Sequence, residues 1–159
     1  MGNVKNPKAL FIHDVGGGFA EAFSESFTHM GIATKYFTLF STAMRFIDSP
    51  AIRQIESVIL HKDLGQYSGE GDGLSDIIVA KLHEINPLIR IGIGSGEYPH
   101  GTKHVLALGV DFYFSTNDIR YDKEWIVEQM KLGYVSQNDI ELRGEKVLTP
   151  VGHKGIERF

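Results

Sequence analysis

Two rhythms of apolar and polar positions alternate along the chain. Ala9-Leu10-Phe11-Ile12 is a continuous apolar run between Lys8 and His13-Asp14. It predicts a strand buried on both faces. After Val15-Gly16-Gly17-Gly18, Phe19, Phe23, Phe27 and Met30 recur at helical spacing, with Glu21 and Glu25 between them, and Gly31 stands where a helix-ending glycine belongs. Thr34 to Leu39 alternates and is rich in β-formers, and its polar Thr34 and Lys35 place it nearer a sheet edge. Ser41 predicts the N-cap of a short helix through Ile47, which Asp48-Ser49-Pro50 ends.

A third strand is predicted over Ser57 to Leu60, with His61-Lys62-Asp63 behind it. The loop that follows, Gly65 to Gly73, is polar and glycine-rich. Leu74, Ile78, Leu82 and Ile85 then form an apolar stripe, with Ser75 or Asp76 as the cap and Asn86-Pro87 as the stop. Ile89 to Ile93 predicts a fourth strand, Thr102 to Leu108 a weaker helix ended by Gly109, and Asp111 to Phe114 a fifth strand. Asp118 or Asp122 precedes a last helix carrying Trp125, Ile126, Met130 and Leu132.

Strand and helix thus alternate five times. Such alternation predicts a doubly wound α/β fold, a five-stranded parallel sheet covered on both faces. Right-handed crossovers favour the flavodoxin-like order 2-1-3-4-5. The pattern breaks after Val135. Residues 1–135 are read as the α/β domain and 136–159 as a C-terminal extension. Within the extension, Asp139-Ile140-Glu141-Leu142 and Lys146-Val147-Leu148 predict a small hairpin followed by a tail.

Composition narrows the function classes. The 159 residues suit one domain. A net charge of −4 gives no electrostatic case for nucleic acid or an anionic membrane. The absence of cysteine excludes disulfides, thiolate metal sites and thiol catalysis. No apolar run approaches the ~20 residues of a membrane span, and the first residues lack a signal-peptide core. A cytoplasmic protein is the expectation.

The layout from about Lys8 to about Gly133 resembles the receiver domain of two-component response regulators, the CheY-like family. Gly71-Asp72-Gly73-Leu74 is similar to the Asp-Gly-Leu segment after the third receiver strand. Ala107-Leu108-Gly109-Val110-Asp111-Phe112-Tyr113 is similar to the segment that leads into the fifth. The chemistry implied by the resemblance is largely dismantled. The acidic pair that would hold magnesium reads His13-Asp14, and the phosphoacceptor position reads His61. Asp63 is a candidate displaced acceptor in a segment about four residues longer than the family pattern. Ser95 keeps the hydroxyl after the fourth strand, whereas Thr116 stands for the lysine after the fifth. Phosphoryl transfer needs an ionised nucleophile and cations to neutralise developing charge, and imidazole supplies neither charge nor hard oxygen. The resemblance therefore implies a pseudo-receiver, a degenerate form that signals without phosphorylation. It also implies a protein partner or homodimer on the face of the fourth helix, fifth strand and fifth helix, with Tyr113, Trp125 and Tyr134 as aromatic anchors.

A competing reading uses the same strand ends for a small ligand or metal. His13, Asp14, His61 and Asp63 fall at the carboxyl ends of neighbouring strands, and Asp14, His61 and Asp63 are the metal-ligand candidates. Against this, a regular strand sends His13 and Asp14 to opposite faces, and a hydrogen-bonded polar cluster in a dead pocket is the simpler expectation. The triple glycine lacks the spacing of a nucleotide loop, and Gly94-Ser95-Gly96 falls short of a nucleophile elbow. No cofactor and no coherent catalytic set is expected.

Overall fold

The computed structural model describes residues 5–16, 18–117 and 119–150, the side chains of 119–121 excepted. Five strands, β1 (Ala9–Ile12), β2 (Thr34–Phe37), β3 (Ser57–His61), β4 (Arg90–Ser95) and β5 (Phe112–Ser115), form one sheet in the order 2-1-3-4-5. Every pairing is parallel, with Leu10 beside Val58 and Lys35, and Val58 beside Ile91. The helices are α1 (Phe19–His29), α2 (Phe40–Ile47), α3 (Leu74–Ile85), α4 (Thr102–Leu108), α5 (Ile119–Lys131) and α6 (Gln137–Glu141).

Strand alternation divides the core into two layers. Leu10, Ile12, Val58, Leu60, Ile91, Ile93 and Tyr113 face α2, α3 and α4. Ala9, Phe11, Ile59, Phe112 and Phe114 face α1 and α5. β2 is half-exposed, as its polar residues predicted. Gly92 and Gly94 leave room on β4 for the Phe112 and Phe114 rings of β5; a Cβ on Gly92 would overlap the Phe112 ring. No helix among the described residues is long and apolar enough to cross a membrane.

Two local expectations change. Ser41 is not a cap: Leu39 occupies the N-cap of α2 without a side-chain bond, and α3 begins at a left-handed Gly73 rather than at a Ser75 or Asp76 cap. Asp118 lies outside the described residues. The predicted hairpin is also replaced. Asp139 to Glu141 belong to α6, capped by the Ser136 hydroxyl, which accepts from the Asp139 N–H at 3.1 Å. Leu148 instead pairs in parallel with Phe112 on the free side of β5. The Ser136 cap favours a helix over the short alternating run, and β5 offers Leu148 an unpaired strand that a local hairpin would have to build.

Arg143 fixes this extension. Its guanidinium donates to both oxygens of Asp111, at 3.1 and 3.0 Å, and to the carbonyls of Pro87 and Ile89 at 2.6 and 3.0 Å. Val147 is buried in the α2–α3–α4 layer.

Candidate functional site

The carboxyl ends of β1 and β3 bring His13, Asp14 and His61 together, all three buried. The β1 ladder closes when the His13 N–H donates to Phe37 O, and the chain then leaves the sheet. His13 and Asp14 therefore escape the alternation of a regular strand, and both reach His61. Ligand atoms of the three lie within 4.8 Å of one another.

Asp14 is the hub. Its Oδ1 lies 3.2 Å from His61 Nδ1. Its Oδ2 accepts from the backbone N–H groups of Gly65, Tyr67 and Ser68 at 2.8, 2.9 and 3.1 Å. Burial alone would push this carboxyl up, but the N–H donors from Ser68 and Gly65, with the His61 bond, outweigh it and hold it below the usual range. The long loop between β3 and α3 is thus wrapped around a carboxylate that belongs to the chain itself.

The His13 ring stacks on the His61 ring at 4.1 Å with 20° between their planes, and Phe19 packs against it at 4.6 Å, tilted by 45°. The Val15 N–H donates to His13 Nδ1 at 3.2 Å, so the neutral ring carries its proton on Nε2. That Nε2 is buried without a hydrogen-bond partner among the described residues. Burial first, then the neighbouring His61, depress the His13 pKa to about 3, with Asp14 opposing.

This geometry favours a closed polar cluster over a metal centre. An imidazole binds metal along its own ring plane, and two nearly parallel rings send their lone pairs side by side rather than to one point. Asp14 Oδ2 is filled by the three loop N–H groups, and its Oδ1 is engaged by His61. Asp63, the third metal candidate, is not in the cluster. Its carboxylate lies 3.7 Å from Lys62 Nζ, which is also 3.5 Å from Glu97. Asp14 and Asp63 thus serve different partners.

The remaining candidates are scattered. Ser95 is fully buried, and its hydroxyl accepts from the Glu97 N–H. Thr116 is tied to β4 through its backbone N–H to Ser95 O. The three aromatic anchors do not make one surface. Tyr113 is fully buried, donates its hydroxyl to His100 O at 2.6 Å and packs edge-on against Tyr98. Burial pushes that hydroxyl up to about 12. Trp125 packs edge-on against Phe112 in the opposite layer. Tyr134 is exposed and donates to Arg53 O at 3.3 Å. Alternation along β5 is the reason: Tyr113 and Phe112 point to opposite faces, so Tyr113 and Phe112's partner Trp125 cannot share one.

Glu70 was not among the sequence candidates. It reaches from the long loop to α2 and accepts from the Phe40 and Ser41 N–H groups at 2.7 and 3.1 Å. It supplies the cap that Leu39 cannot. Tyr67, on the same loop, is 65% exposed.

No family model matches the sequence, and no curated protein matches it. The fold does match solved structures. A receiver domain of a Francisella response regulator superposes with a TM-score of 0.60 at 19% identity, over 79% of this chain and 98% of that one. The signal receiver domain of an HD domain-containing protein from Pseudomonas fluorescens gives 0.60 at 15% identity, over 80% and 93%. An orphan response regulator of H. pylori gives 0.58 at 13% identity, over 77% and 95%. At these identities the likeness establishes the fold, which is that of CheY-like receiver domains.

Proposed function

We propose that this chain is a receiver-like signalling module that works through protein contacts and without phosphorylation of an aspartate. The state of Asp14 carries the reading. A receiver needs this carboxylate free to hold a cation beside an ionised acceptor. Here both of its oxygens are occupied by His61 and by three loop N–H groups. The acceptor position holds a buried imidazole stacked on a second one. Freeing Asp14 means breaking four hydrogen bonds to a buried carboxylate, and charge-assisted bonds of this kind are the stronger ones.

What such a module retains is a fixed surface. The loop held at Asp14 and at the α2 N-terminus presents Tyr67, and the cap position of α2 presents Leu39, so the two segments joined by Glu70 each carry an exposed apolar side chain. An exposed tyrosine on a preformed loop is a suitable anchor for a protein partner.

Incubation with acetyl phosphate and magnesium, followed by intact mass, tests the proposal. The expected mass is that of the unmodified chain. A stable adduct of one phosphoryl group on Asp14 or Asp63 would overturn it.

A further inference from the structure

The amino ends of β4 and β5, at the opposite edge of the sheet from His61, hold a second polar site. A cavity of about 220 Å³ opens there between the sheet and the C-terminal extension. Arg90, Asp111, Asp139, Leu142, Arg143 and Lys146 line it.

Arg90 is the unusual member. Only 6% of it is exposed. Its Nε donates to Gly133 O at 2.9 Å. Among the described residues its two terminal nitrogens make no hydrogen bond and no close ion pair, and the carboxylates of Asp111 and Asp139 act on its charge from further off. Asp111, the carboxylate that acts on it most strongly, is already clamped through both oxygens by Arg143. A buried guanidinium that makes no close ion pair is costly, and its fork has the geometry of a bidentate oxyanion site. Lys146 is exposed on the same wall and forms no ion pair among the described residues. Once the Arg143–Asp111 pair is set aside, two cations face the cavity and one exposed carboxylate, Asp139, opposes them.

We propose that this cavity binds a phosphate group. Arg90 supplies a fork whose terminal nitrogens make no hydrogen bond and Lys146 a point charge, and together they suit the several oxygens of a phosphate, with Asp139 opposing them. The ligand is free inorganic phosphate or a phosphate carried on a side chain of another molecule; both present the same oxygens. The site is built by the extension, since Asp139, Leu142, Arg143 and Lys146 all belong to it. It is independent of the His13–Asp14–His61 cluster.

Titration followed by ¹H–¹⁵N spectra, including the arginine Nε–H signals, tests the assignment. Inorganic phosphate and phosphoserine are added separately at constant ionic strength. Saturable shifts at Arg90 Nε–H and at the amides of residues 139–146 are expected. Lys146→Gln should weaken binding by up to about fivefold, the worth of a partly exposed ion pair, and Asp139→Asn should strengthen it. Both residues are exposed, so neither change threatens the fold. Tighter binding of phosphoserine assigns the site to a phosphorylated side chain, and tighter binding of inorganic phosphate assigns it to the free ion. The absence of a saturable shift with either, or the same affinity in the wild type and both variants, overturns the proposal.

Discussion

A buried neutral histidine makes the strongest residue-scale statement. His13 has a pKa of about 3 in the fold and an ordinary one, about 6.5, in the unfolded chain. Between these values the unfolded state binds one more proton than the folded state. Stability therefore falls as pH drops below about 6.5, with a slope approaching 1.4 kcal/mol per pH unit, and the loss ends near the folded pKa. Asp14 adds to the loss at lower pH. Its folded pKa is depressed, so its contribution is present above the unfolded carboxylate value and disappears as pH falls through the folded one. His13→Phe keeps the stack with Phe19 and His61 but removes the titration. Urea melts between pH 4.5 and 6.5 should show the slope of stability against pH reduced by about one proton in that variant; an unchanged slope would assign the titration elsewhere. The sequence marked His13, Asp14 and His61 as the residues to watch. Their nearness at two strand ends was legible, but alternation along a strand separates His13 from Asp14 and argued against their convergence, and only the departure of the chain after Ile12 removes that separation.

At the scale of elements, the segment between β3 and α3 explains why the pocket is closed. Its extra length was legible in the sequence as a departure from the receiver pattern. Its purpose was not, since it depends on backbone N–H groups of Gly65, Tyr67 and Ser68 that any sequence carries. Glu70 was equally silent, because the helix it caps lies about thirty residues earlier in the chain. The bond is charge-assisted and placed at a helix N-terminus, where a carboxylate is favoured. Its two N–H partners outweigh burial and keep the Glu70 carboxyl below its usual range. Glu70→Ala should leave α2 uncapped and free one end of the loop. A cap is worth ~1 kcal/mol, or about 2–4 °C in a chain of this length. Thermal melts check the size of the effect, and hydrogen exchange checks its place: the Phe40 and Ser41 amides should exchange faster while the amides of β1 do not change.

The whole molecule is a receiver-like sheet with an added clasp. Five strands, their order and nearly all helices followed from hydrophobic rhythm, because buried parallel strands and amphipathic helices impose their periods on sequence. The extension did not, because its attachment rests on Arg143 and on a single strand contact. The Asp111 side chain is 8% exposed, and its close ion pair among the described residues is with Arg143 of the extension. Removing one partner of a buried pair leaves an unpaired charge, which typically costs 3–5 kcal/mol. Arg143→Met should therefore destabilise the chain by several kcal/mol, far more than loss of a surface ion pair, and Asp111→Asn in the same chain should restore part of that loss. The double-mutant cycle separates the pair from mere packing, because a structural methionine defect would be indifferent to the charge at residue 111. A chain ending at Val135 loses more than this clamp. It also uncovers the side of β5 where Tyr113 N–H now donates to Leu148 O and Leu148 N–H to Asp111 O. An unpaired parallel edge is a template for another strand, whereas in the longer chain Pro150, which has no N–H to offer, follows Leu148 and blunts it. The truncated chain should accordingly associate in a concentration-dependent way in light scattering while the 159-residue chain keeps one mass over the same range; equal behaviour of the two would show that the clasp is not what guards the edge.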